Sequence, residues 1–342
     1  MIDDPHMLAL LRRAMLPMDG TIADHAEDIL AAAADAVPPG RRSALTYVDL
    51  TAGSCLLPLA FAAAGARRVV VNDIAPRTIV AARALFAGAD LPQQILEQAW
   101  TGRLPLTPHH PSFAFASDYL TAEICAGFDR LFHADLPRPQ LATLRYLALR
   151  DALAFADPED GFRILMTHDP AQLRADSDGD WRMFLALHDG RLERLSQLRE
   201  VLADARAALR TPAAAVEILH ADMRDVAGRI AYDAPCLVAV NPPTNGVDEY
   251  VIDDQIVHSL IANRLVPLTR CRETAEDFWR SRVEAALAPL PRGALYLVWG
   301  GDGAMPAQAC HAVWEGYGDP VHTAQVELGQ GRAALWGLFR RR

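Results

Sequence analysis

The stretch from Tyr47 to Asp73 constrains this chain more than any other. Tyr47-Val48-Asp49-Leu50 is a short β-prone run, Thr51-Ala52-Gly53-Ser54 a turn of small residues, and Leu56–Ala66 an apolar, alanine-rich segment that reads as a helix ending near Gly65. Val69-Val70-Val71 is a continuous apolar run that meets Asn72-Asp73 directly, and Thr78–Ala87 reads as a further helix. Short strands without polar alternation, spaced by helices, must be covered on both faces, which predicts an α/β fold with a buried parallel sheet. Upstream, Met7–Met15 and Ile22–Ala36 carry apolar residues at helical spacing, and Pro38-Pro39-Gly40 breaks the chain before the first strand.

From Trp100 to Pro212 helical spacing takes over, at Tyr119–Phe132, Pro139–Ala156 and Trp181–Leu209. The alternation resumes with Val216–Leu219, which leads into His220-Ala221-Asp222, and with Cys236–Val240, which leads into Asn241-Pro242-Pro243-Thr244. A helix over Asp277–Leu287, a strand over Ala294–Trp299, and a closing antiparallel pair, Thr323–Leu328 with Ala333–Phe339, complete the pattern. The expected organisation is a sheet-bearing core made of 1–100 and 213–342, interrupted by a helical insertion over 101–212.

Three classes of function fit poorly. No apolar run reaches the roughly 18–20 residues of a membrane span, and the first residues lack the basic and apolar regions of a signal peptide, so a soluble, cytoplasmic chain is expected. Cys55, Cys125, Cys236, Cys271 and Cys310 form no CxxC pair and read as small buried hydrophobes. His109-His110 and His168-Asp169 lack companions at ligand spacing, so no metal is expected. The net charge is −10, and all 33 basic residues are arginine. The insertion itself carries 13 arginines against 16 acids, which weighs against a polyanionic partner unless a local patch overrides the balance.

Three motifs carry candidate chemistry. The Asp49–Ser54 turn lets a ligand approach the backbone closely, as does an ordinary βα turn; with no GxGxxG and no GxxxxGK[ST], the chain lacks a phosphate cradle. Asp73 ends the second strand, where a carboxylate can accept from two ribose hydroxyls or cap the next helix. In Asn241-Pro242-Pro243-Thr244, two prolines remove two amide donors. That leaves carbonyls and the Asn241 side-chain oxygen as acceptors that can grip an exocyclic NH2 and aim its lone pair.

Taken together, these motifs resemble the class I methyltransferases, and among them the Dam-type (alpha-order) DNA adenine-N6 methyltransferases. Asp49-Leu50-Thr51-Ala52-Gly53-Ser54 is similar to the family's D-x-F-A-G-S cofactor loop, Val71-Asn72-Asp73-Ile74 to its second strand and acid, and Asn241-Pro242-Pro243-Thr244 to its (D/N)-P-P-Y catalytic loop. The resemblance implies a Rossmann-like, seven-stranded class I methyltransferase sheet binding S-adenosyl-L-methionine, with the insertion as target-recognition domain and DNA as partner. It implies that Asp49, Thr51, Ala52, Gly53 and Ser54 line the methionine end of the cofactor, that Asp73 holds the ribose and that Asp222 lies near the adenine. Asn241 and Pro242, with Pro243 and Thr244, would hold the target amine of a base flipped into the pocket.

The chain departs from the family at Thr244, where relatives carry an aromatic residue that stacks on the base; Tyr250 is a substitute ring. Arg264 and Arg270, in the arginine-bearing stretch Arg264–Arg282, are candidate phosphate contacts, although the same stretch suits a solvated helix face. Met18-Asp19-Gly20-Thr21 lies where the family has a lysine-bearing cofactor element, without the lysine. Two further readings stay open: a methyltransferase of a protein or small-molecule nitrogen, and a catalytically inactive cofactor-binding homologue.

Overall fold

The computed structural model describes residues 5–16, 22–112, 114, 122–155, 191–242, 259, 261–264, 273–301, 306–329 and 332–342. In chain order the principal elements are α1 (Pro5–Ala14), α2 (Ala26–Ala36), β1 (Thr46–Asp49), α3 (Leu56–Ala63), β2 (Arg68–Asp73), α4 (Pro76–Ala87) and α5 (Gln93–Trp100). Then come α6 (Ala122–Phe132), α7 (Arg138–Phe155), α8 (Arg191–Ala207), β3 (Val216–His220), the single turn α9 (Met223–Val226) and β4 (Cys236–Val240). α10 (Ala275–Leu287), β5 (Leu295–Gly300), α11 (Ala307–Tyr317), β6 (Gly318–Gly329) and β7 (Arg332–Arg341) close the chain.

The chain divides into two compact units. The first, Met1–Ile74, Ala208–Asp248 and Arg270–Arg342, contains the sheet. Its seven strands run β3-β2-β1-β4-β5-β7-β6. β1 to β5 are mutually parallel, and β7 is antiparallel to both β5 and β6. The result is an α/β, seven-stranded mixed sheet compatible with a Rossmann-like fold, in a strand order consistent with class I methyltransferase topology. Val48 stands opposite Val70 and Val238 in register, so one face of the central strands is a valine layer. Trp279 of α10 and Trp314 of α11 pack on that face with Tyr296 and Phe339. On the other face the Tyr47 ring stacks on Phe61 of α3, with centroids 4.0 Å apart. Cover on both sides explains why β1, β4 and β5 are buried at every residue. Among the elements named here, α5, the single turn α9 and α11 escape the sequence reading, although for α11 Pro306 at its start and the apolar positions Ala309, Cys310, Val313 and Trp314 are signals of it.

The second unit is Ala75–Ala207 with Glu249–Thr269, and the elements named among its described residues are helices. Its bounds differ from those of the expected insertion: the compact unit begins at Ala75, where the expected insertion begins at 101, and it takes in a later segment. The cause is packing that local periodicity does not reveal. α4 lies against α7 and α8, and α5 against α8. Thr143 Oγ1 on α7 donates to Ala89 O at 2.7 Å, and Arg206 of α8 pairs with Asp90 at 2.9 Å.

Burial sets the expected cost of truncation. Leu297, on β5, is fully buried, whereas Val321, on edge strand β6, is 41% exposed. Leu297→Ala is expected to destabilise by about 2–5 kcal/mol and Val321→Ala to stay within about 0.5 kcal/mol of the parent, as read from urea-unfolding midpoints in one buffer.

Candidate functional site at the carboxyl edge of the sheet

The strand order reverses between β1 and its neighbour β4, and in open α/β sheets the carboxyl ends of strands flanking such a reversal form the ligand crevice. The Asp49–Ser54 turn follows β1 and Asn241-Pro242 follows β4, so two separate motifs arrive at one place. They are joined directly: the Asn241 amide donates to Thr51 Oγ1 at 2.7 Å, and the Leu50 amide to Ala239 O at 3.0 Å.

The turn is held from below by acids. Asp49 ends β1 and is 4% exposed; its carboxyl accepts from Tyr47 Oη at 2.8 Å and from the Thr51 amide at 3.1 Å. Asp73 ends β2 and accepts from the Gly53 amide at 2.8 Å. Ala52 N donates to Asn72 O, Cys55 N to Ala52 O, and Leu56 N to Ser54 Oγ. The reversal uses the left-handed region twice, at Gly53 (φ 48°) and at Cys55 (φ 65°), the residue that opens α3. Glycine accepts that conformation freely; cysteine pays a steric penalty there. The amides of Thr51, Ala52, Gly53, Cys55 and Leu56 are thus spent on carboxyl groups, carbonyls or a hydroxyl, so they do not form the converging N–H row of an anion cradle.

Asn72 ties the neighbouring strand ends together. It is fully buried, and its Nδ2 donates to Leu50 O at 2.9 Å and to Ala221 O at 3.1 Å. Sequence reasoning passed over this side chain in favour of Asp73, because nothing local distinguishes a cross-strand tie from a strand-end amide.

Asp222 lies at the expected end of β3, but its carboxylate is already engaged. It caps α9 by accepting from the Arg224 amide at 2.9 Å, and it pairs with Arg224 at 2.9 Å and Arg282 at 2.7 Å. Both arginines also reach Glu273, at 2.9 and 2.8 Å, and the Arg282 guanidinium lies 3.2 Å from the Phe278 ring centroid. Burial pushes the Asp222 carboxyl up, but the Arg224 hydrogen bonds and the Arg282 charge outweigh it and hold it below the ordinary 3.8. A carboxylate so occupied has little left to offer an adenine amine.

The arginine stretch also changes meaning. Arg282 is 5% exposed and paired with acids, and Arg280 pairs with Glu276 at 3.1 Å along the same helix. Arg264 is exposed and belongs to the second unit. Pro243, Thr244, Tyr250 and Arg270 lie outside the described residues, as do Met18–Thr21 and His168.

Among the described residues no group of three or more histidine, cysteine or acidic side chains could hold a metal ion, and no helix is long and apolar enough to cross a membrane. Compared with known proteins, the sequence matches no family model and no curated protein.

Burial raises the Asp49 carboxyl from 3.8 to about 7, the Tyr47 and Thr51 hydrogen bonds opposing it and the Asp73 charge adding to it. The unfolded chain releases this proton near the ordinary value while the folded chain keeps it to about pH 7. The folded state is therefore penalised progressively as pH rises through that window, by up to about 1.4 kcal/mol per pH unit from this group. Asp49→Asn is expected to remove that slope from a stability profile measured by denaturant unfolding between pH 4 and pH 7.

Proposed function

We propose that the chain is a class I methyltransferase that moves a methyl group from S-adenosyl-L-methionine to an exocyclic amino nitrogen, adenine-N6 of DNA being the first acceptor to test. The observation that carries this reading is the meeting of the Asp49–Ser54 turn and Asn241-Pro242 at the reversal of the strand order, joined by the Thr51–Asn241 hydrogen bond.

The residues present suit such a cofactor. It has no phosphate to cradle and carries a positive charge, and the turn offers backbone at close range over two buried carboxyl groups. When bound, it supplies an electrophilic methyl group on a cationic sulfur. Asp49, Thr51, Ala52, Gly53, Ser54 and Asp73 would hold it. At the other wall, Asn241 and the carbonyl of Pro242 accept the hydrogens of the target NH2 and turn its lone pair to the methyl group. The prolines at 242 and 243 offer no competing N–H. The Thr51 hydroxyl keeps the Asn241 backbone in place. The surplus proton of the alkylated amine leaves to water, so the residues act by position and dipole, without a strong base.

A second reading, transfer to a protein or small-molecule nitrogen, is favoured by the pairing of Arg224, Arg280 and Arg282 with acids, which takes them away from a phosphate-binding role.

The test supplies methyl-labelled cofactor with unmethylated duplex DNA, single-stranded DNA, RNA and cell-extract protein, and identifies the labelled product. Label in N6-methyladenine supports the first acceptor and label in protein the second; cofactor binding without transfer to any of them indicates the inactive homologue. Where transfer occurs, Asn241→Ala is expected to lower kcat by about 10²–10³-fold, the scale of losing one preorganised polar contact in a transition state, with cofactor affinity changed by no more than about threefold. Full activity in that variant would remove Asn241 from the mechanism.

A further inference from the structure

The reading above gives Asp49 a place in the cofactor-binding turn but no task for its proton. Its surroundings suggest one. The carboxyl is 4% exposed, with Tyr47 Oη on one oxygen and the Thr51 amide on the other. The titratable groups that act on it are Tyr47 on its own strand, Asp73 from β2 and Cys55 at the start of α3. β4 faces it with Ala239 and β2 with Val71. Among the described residues no arginine or histidine forms an ion pair with Asp49. A buried carboxyl without a cationic partner holds its proton until a positive charge arrives to replace it.

We propose that Asp49 is the charge-discriminating residue of the cofactor site: protonated when the site is empty or holds an uncharged thioether, and ionised when a sulfonium is bound. The O–H bond breaks, the electron pair stays on the carboxylate, and the proton leaves to solvent. The inference rests on the methyltransferase reading. Its consequence for turnover is that the demethylated product, which lacks the sulfonium charge, lets Asp49 recover its proton, so the ion pair that favoured the methylated form is absent when the product must leave. The tie through Thr51 is central here: one residue takes the Asp49 carboxyl on its amide and the Asn241 amide on its hydroxyl. Burial supports the same assignment, since it holds the proton on this carboxyl to about pH 7.

The test is calorimetric titration of the full chain with S-adenosylmethionine and with S-adenosylhomocysteine, from pH 5.5 to 7, in paired buffers of different ionisation enthalpy. The window lies below the usual amino-group pKa of about 7.7–8.0, so the ligands' own amines stay charged. For the sulfonium, affinity is expected to rise close to tenfold per pH unit, with release of nearly one proton on binding at pH 6. For the thioether, the rise is expected to be no more than about twofold per pH unit, with correspondingly fewer protons released. Asp49→Asn should flatten the sulfonium profile, and Tyr47→Phe should shift it to higher pH, because the tyrosine hydrogen bond favours the ionised form. Parallel profiles and equal proton counts for the two ligands overturn the proposal while leaving the methyltransferase reading intact. Failure to bind either ligand at any pH overturns both. If Asp49→Asn does not fold, the proton counts on the unaltered chain decide alone.

Discussion

The carboxyl edge of this sheet depends on one buried amide. Asn72 reaches sideways from β2 to a carbonyl at the end of β1 and another beyond the end of β3, while its own carbonyl takes the Ala52 amide. Strand ends are where ladder bonding stops and backbone groups fall vacant, and each one left dry costs about 1–3 kcal/mol. One side chain settles two of these carbonyls and fixes three chain segments relative to each other. Its Oδ1 is buried without a hydrogen-bond partner, so the tie carries a cost of its own. That local rule is broken at the place where the motifs meet, which is where fold and function are expected to conflict.

Above this tie the electrostatics run against the common nucleotide sites. In those, glycine-rich turns leave amides free to converge on phosphate. Here the Thr51 and Gly53 amides point down onto Asp49 and Asp73. The floor of the turn is therefore lined by carboxyl groups, and a cation is the better complement. A similar saturation governs the end of β3, where Asp222 and Glu273 absorb Arg224 and Arg282. Within this cluster Arg282 is buried while Arg224 and Glu273 are exposed, so removing the acids around Arg282 would leave a buried charge uncompensated, whereas the outer pairs are screened by solvent. The cluster is best understood as the mortar between α9 and α10, and positive charge for a nucleic acid must come from elsewhere in the chain.

Much of the sheet was legible because each central strand carries a short apolar run bounded by turn residues. β1, β2, β4 and β5 announce themselves in this way, and β6 with β7 by a glycine-bearing reversal. What local pattern could not supply were pairings across long separations. Arg282 lies sixty residues beyond Asp222, and nothing near either position identifies the other. α4 follows β2 directly in sequence yet packs with helices more than fifty residues later, so a boundary drawn where the apolar strands give out does not coincide with the edge of that compact unit. At the site, the spacing of Asp49 and Asp73 was visible, but the direction of the turn amides was not, nor were the positive φ values at Gly53 and at Cys55. Few sequences advertise the second of these, since a cysteine is rarely left-handed.

The Asp49 carboxyl shows what that geometry implies. At this position an asparagine could accept the same Thr51 amide and meet the Tyr47 hydroxyl without any charge to bury. A chain arranged only for stability gains nothing from an acid that keeps its proton to about pH 7 in the fold and so penalises folding progressively as pH rises from the ordinary 3.8 to that value. The acid differs from the amide in one capacity: it can become negative when something positive approaches. The turn that holds it is linked through Thr51 to Asn241, just beyond the end of the neighbouring strand, so one residue stands between the carboxyl and the Asn241 backbone. On the proposed reading, a fixed carboxylate would sit in the empty site as a buried, uncompensated charge. A carboxyl that changes state carries that charge only while a cation is there to answer it.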